Sequence, residues 1–235
     1  MTGLRAAGVA RSYGVATAFL ALVITGELIV VSLPPNKLTR LELFASTNVA
    51  NLHHHPVTAL VLSALFPSES APSSISPGPL LAWPLLVALA MFGANRAAGN
   101  LWLLLICGCG QVVGTLVSEG IVSYRIEHGR LPESWLHIID VGPSYVVVAA
   151  IVVAAMLGSW LAKIAAVAAF ASLVFIGGIF SGLGSFQVAP VGHLTAMIVA
   201  SVLSVALGLA RMRRADGVHG EAARDEPVRD AQPSE

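Results

Sequence analysis

The sequence predicts an all-α, polytopic membrane protein: a bundle of six transmembrane helices with both termini in the cytoplasm. Composition is the first ground. Of 235 residues, 56% are apolar and 11% charged, and mean hydropathy is +0.80, whereas a soluble domain carries about 25% charged residues. Too little polar surface remains to face water. The second ground is a series of six apolar runs close to the roughly 17–25 residues that a bilayer core requires. The third is the placement of Lys and Arg around those runs. A formal net charge of zero gives no basis for a nucleic-acid partner, so the lipid bilayer is the partner that composition implies.

Residues 1–14 read as a cytoplasmic N-terminus, and the first span, Val15–Leu33, ends at Pro34-Pro35. Arg5 and Arg11 before it raise a secretory signal as the rival reading. The run is long for a signal's apolar region, however, and no small-x-small cleavage site follows. In the long connection after it, Val57–Phe66 is apolar but too short to cross, and reads as an interfacial or re-entrant piece. The second span, Leu80–Ala94, extends to about Ala98. Its Pro84 lies near the start, where N–H groups lack intrahelical partners anyway. The remaining spans are Leu101–Val122, Val141–Leu157, Trp160–Phe180 and Val188–Ala210. They complete a membrane domain over residues 15–210. Residues 211–235, rich in charge, Ala and Pro without apolar periodicity, read as a disordered cytoplasmic tail.

With the N-terminus inside, the inner flanks hold Arg5, Arg11, Arg96, Lys163, Arg211, Arg213 and Arg214. The outer flanks hold only Lys37, Arg40, Arg125 and Arg130. This satisfies the positive-inside rule and turns the two long loops, 34–79 and 123–140, outward. All basic residues but Lys37 and Lys163 are Arg, and Ala, Val and Gly are abundant. That bias suggests a GC-rich bacterial genome, hence a multi-pass protein of the bacterial plasma membrane.

Polar groups in a span are costly and mark candidate sites. Asp140-Val141-Gly142-Pro143-Ser144-Tyr145 opens the fourth span, and Gly192-His193-Leu194-Thr195-Ala196 lies near the start of the sixth. A serine and a histidine thus enter from the same face at similar depth. A serine hydroxyl needs an adjacent base to become a nucleophile, and histidine is suited to that role. A helix start also offers free N–H groups and a partial positive charge to a developing oxyanion.

Gly142-x-Ser144 heading the fourth span, His193 in the sixth, and six spans with a long first outer loop resemble the rhomboid family, over about residues 15–210. His55-Pro56-Val57 through Phe66 resembles the end of the rhomboid first loop, and Phe92–Arg96 the end of the second helix. The resemblance implies an intramembrane serine protease that cuts transmembrane protein substrates near the outer membrane face. Ser144 would be the nucleophile and His193 the general base, with no metal or organic cofactor. Gly142, Tyr145 and Asn51 are the candidates for oxyanion or supporting roles. Two departures stand out. Tyr145 replaces the glycine that usually follows the serine, and Ala82–Val87 lacks the His and Asn that the second helix normally contributes. Asn48, Asn51 or a first-loop histidine are the candidate substitutes. One alternative is a catalytically inactive rhomboid-like protein that binds transmembrane helices. Another is a metal-dependent membrane enzyme or transporter using His53, His54 and His55 with His128, His137 and Asp140.

Other features read as structural. Cys107 and Cys109, at i and i+2, point to different sides of a helix and suit neither a disulfide nor a shared metal. Glu27, in the middle of the first span, is expected to bond a Ser, a Thr or Gln111 of another helix, and Glu119 to bond groups of the outer loops. Gly110-x-x-x-Gly114 and Gly178-x-x-x-Gly182 are small-xxx-small patterns for close helix packing. The glycines from 177 to 184 predict bending at the outer end of the fifth span.

Overall fold

A computed structural model describes the backbone of residues 2–67 and 79–224, and the side chains of 12–67 and 81–214. The side chains of Arg5 and Arg11, part of the first outer loop and residues 225–235 lie outside the described residues.

The first helix, α1 (Thr2–Ser32), is interrupted at Tyr13, whose φ of −137° and ψ of 16° are not helical. The break frees N–H groups that cannot be left bare at a membrane boundary. Asn95 Oδ1 accepts from Ala16 N at 2.8 Å, and Asn100 Oδ1 from Val15 N at 3.2 Å. Asn95 in turn donates to Asn100 at 2.8 Å, and Arg96 donates to the Tyr13 hydroxyl at 3.2 Å. The Phe92–Arg96 stretch therefore serves as a clamp on the first helix.

The first outer loop folds into three short helices, α2 (Pro35–Ala45), α3 (Val49–His54) and α4 (Pro56–Ser63). The last covers most of the stretch expected to lie in or on the membrane without crossing it. There follow α5 (Pro79–Ala98), α6 (Asn100–Glu127), α7 (Ser144–Leu157), α8 (Trp160–Phe175) and α9 (Val188–Arg224). Four helices, α1, α5, α6 and α9, are long and apolar enough to cross a membrane, and α7 and α8 are shorter apolar helices. All six predicted spans are thus helical. The last continues to Arg224, beyond the expected boundary at residue 210.

At 14 residues, α7 rises about 21 Å, short of the roughly 30 Å hydrocarbon core. It sits in the middle of the bundle, packed against α5, α6, α8 and α9 and buried from Tyr145 to Ala154. On one side α6 runs on from Gly114 to Glu127, about 20 Å, so the head of α7 is recessed beside α6. Irregular backbone at that depth is tolerated because protein, not lipid, surrounds it.

Glycines set the closest contacts. A Cβ at Gly110 would lie 3.0 Å from that of Ala149, and one at Gly114 would lie 2.9 Å from the Gly192 carbonyl oxygen. The Gly110/Gly114 pattern thus brings α6 against α7 and α9. The Gly178/Gly182 pattern requires correction. These two have φ of 59° and 84°, a left-handed conformation suited to glycine turns and foreign to a helix. The fifth span accordingly ends at Phe175 rather than Phe180. The chain then folds back, burying Ile179 and setting Phe180 against Phe170, ring centroids 6.2 Å apart.

Glu27 is also corrected. It is buried with Oε1 lacking a hydrogen-bond partner, while the Gln111 amide donates instead to Ser63 Oγ at 3.2 Å. Cys107 is buried and Cys109 exposed, as their spacing on one helix requires.

Candidate active site at the head of α7

Ser144 is the first residue of α7, and the Pro143 carbonyl before it accepts from Val147 N at 2.9 Å. The N–H groups of Ser144, Tyr145 and Val146 have no hydrogen-bond partner among the described residues. Three open amides and the positive end of the helix dipole therefore meet at a half-buried serine.

The approach to this helix start is held by the first outer loop. Gly142, at φ 145°, donates its N–H to the Ser63 carbonyl at 2.7 Å, so α4 is fastened two residues before the serine. Asp140 makes a second seam. Its N–H goes to Ser46 Oγ at 2.8 Å, and its carbonyl accepts from Thr47 N at 3.0 Å. Asp140 Oδ2 accepts from the Thr47 and Tyr145 hydroxyls, each at 3.1 Å. Burial raises the Asp140 carboxyl above its usual range, and the two hydroxyl donors pull the other way.

Tyr145 reaches back from α7 across the start of α9. Its ring occupies the space where a Cβ on Gly192 would fall, and its hydroxyl lies 3.5 Å from the Val188 carbonyl. The ring stands edge-on to His193, centroids 5.1 Å apart at 85°. His193 is buried, with Nδ1 3.0 Å from the Ile179 carbonyl oxygen. A carbonyl only accepts, so Nδ1 carries the proton, and in the neutral form of the ring Nε2 presents a bare lone pair. That nitrogen has no hydrogen-bond partner.

The fold thus sets Tyr145, the chain neighbour of Ser144, against His193, but no hydrogen bond joins Ser144 to His193. Asn51 stands apart as a loop brace. Its side-chain amide donates to the carbonyls of Leu43 at 2.7 Å and Ser46 at 2.8 Å, leaving no proton for an oxyanion. Asn48 Oδ1 caps α3 by accepting from Asn51 N at 2.9 Å. Glu119 is buried beneath the loop with both carboxylate oxygens unpartnered, facing Asp140 and Tyr145.

The loop histidines do not converge. His53 and His54 are exposed, His55 stacks on Phe44 with ring centroids 5.0 Å apart, and His128 Nδ1 bonds the Tyr124 carbonyl at 2.7 Å. Among the described residues, no three His, Cys, Asp or Glu side chains gather as a metal site would need. Three contributors escaped the sequence reading: Ser63, the Ile179 carbonyl, and Asp140 as a hydrogen-bonding hub. Only Asp140 left a signal there, by preceding the Gly-x-Ser motif.

These features define a multi-pass membrane protein in which a serine-headed helix packs, through Tyr145, against the helix that carries His193. A family model described as rhomboid-like protein matches residues 9–210, and the chain belongs to that family. Comparison with curated proteins and with solved structures found no match.

Proposed function

We propose that the protein is an intramembrane serine protease of the bacterial plasma membrane, cutting transmembrane protein substrates near the outer face. The observation that supports it most is the state of His193. Its Nδ1–H is spent on Ile179, so the one free function of the ring is a buried Nε2 lone pair with nothing else to bond. That is the form a general base must take. Ser144 Oγ attacks the substrate carbonyl carbon as its proton passes to Nε2. The open amides at the head of α7 meet the oxyanion, and the leaving amine takes the proton from Nε2 as the peptide bond breaks. Water, giving its proton to the same nitrogen, then attacks the acyl carbon, and Nε2 returns that proton to Ser144 Oγ as the ester bond breaks and the acid leaves. Hydrogen bonds that are long in a resting enzyme tighten when substrate binds.

A second reading is a non-catalytic binder of transmembrane helices. The missing Ser144–His193 hydrogen bond favours it, as does the commitment of the Asn51 amide to loop carbonyls. Reconstitution in proteoliposomes with a panel of fluorescent transmembrane peptides separates the two. The protease reading expects fragment release that Ser144→Ala abolishes. Binding without release by wild type would establish the binder.

A further inference from the structure

Asp140 is the point where the first outer loop, the head of α7 and the start of α9 are joined. Its Oδ2 accepts from Thr47 Oγ1 and Tyr145 OH. Its backbone N–H and carbonyl are bonded to Ser46 and Thr47. The Tyr145 ring that it tethers lies between the Gly192 backbone and the edge of His193. Among the described residues the histidine side chain has one hydrogen bond, to Ile179. That bond fixes one ring nitrogen but not the tilt of the ring about the bond, which the perpendicular Tyr145 ring restricts. The phenol is in turn held at its far end by Asp140, with Ser118 a further hydrogen-bond partner and the Val188 carbonyl a weaker contact at 3.5 Å.

We propose that Asp140 is a positioning residue for His193, acting through the Tyr145 ring, and that it couples the seating of the first outer loop to the orientation of the base. Its bearing on catalysis rests on the protease reading, whereas the geometry can be tested without any activity. Loosening the Ser46–Thr47 turn removes a donor to Asp140, releases Tyr145 and lets the His193 ring swing. Docking of the loop thereby aligns the base.

The test uses the full chain, labelled with 15N-histidine in lipid nanodiscs, with His193→Ala to assign the signal. Wild type is expected to show one tautomer at His193, Nδ1 protonated and Nε2 bare. Tyr145→Phe and Asp140→Ala are expected to broaden the His193 ring-nitrogen signals as the ring gains freedom about its Nδ1–H bond, while Asp140→Asn, which keeps an acceptor oxygen for the phenol, restores the wild-type spectrum. Tyr145→Phe keeps the ring volume, so it remains informative if Asp140→Ala does not fold. An unchanged His193 signal in folded Tyr145→Phe overturns the proposal. Labelling by a fluorophosphonate supplies the second readout: Tyr145→Phe should slow it about 10- to 100-fold, and Asp140→Asn should leave it at the wild-type rate. If wild type takes no label, the protease reading falls while the ring-signal measurement still decides the positioning role.

Discussion

Tyr145 and Gly192 occupy one another's space: the phenol ring lies where any side chain at residue 192 would begin. The tyrosine that stands where rhomboids carry a glycine is accommodated because the facing helix supplies the missing volume from its own backbone. Gly192→Ala is expected to destabilise the protein by about 1–3 kcal/mol through overpacking. Gly120→Ala, with open space around it, should stay within about 0.5 kcal/mol. Thermal unfolding in detergent checks both, and equal effects would contradict the packing described.

At the other end of the bundle, Asn95 is fully buried and accepts the Ala16 N–H that the break at Tyr13 leaves free. Asn95→Ala leaves that donor without its acceptor, a cost of about 1–3 kcal/mol. Unfolding of the variant in bicelles should show a loss of that size. A loss near zero would mean that the kink does not depend on Asn95.

Thr47 is 1% exposed and its hydroxyl bonds both the carbonyl and the carboxylate of Asp140. Thr47→Val preserves shape and removes these bonds. Faster amide hydrogen exchange over residues 46–55 and around Asp140 is expected, with little change in α5 or α9. Uniformly faster exchange would point to global loss of stability instead.

Asp140 also predicts a pH dependence. Burial raises its carboxyl above the usual 3.8, so folding favours the protonated acid relative to the unfolded chain. The folded state then binds more protons than the unfolded chain, and stability falls as pH climbs from 3.8 through the folded-state value. Asp140→Asn cannot ionise but keeps an acceptor for both hydroxyls. The melting temperature of wild type relative to Asp140→Asn should therefore fall with rising pH and then level off. A difference independent of pH would count against the burial argument.

Much of this architecture is legible in the sequence. The six apolar runs become six helices, because a span must satisfy its own backbone and hydropathy reports that directly. The Ser144 and His193 motifs mark two helix starts that the fold sets against each other through Tyr145. Gly110 and Gly114 announce a close contact, although not its partners. The end of α8 was hidden because Ile176–Phe180 is apolar and reads as more span, while the left-handed turn at Gly178 is invisible to hydropathy. Asp140 was weighed as a metal ligand, since nothing local foretells bonds to Thr47, 93 residues away. The Asn95 clamp was hidden for the same reason, its partner Ala16 lying 79 residues away.

The central claim is that His193 activates Ser144, and labelling by a fluorophosphonate probe tests it most directly. Purified, folded wild type in detergent should take the label at Ser144, and both Ser144→Ala and His193→Ala should lose it. Absence of label on folded wild type, or label that persists in Ser144→Ala, would contradict the account and leave a rhomboid-like protein that binds helices without cutting them.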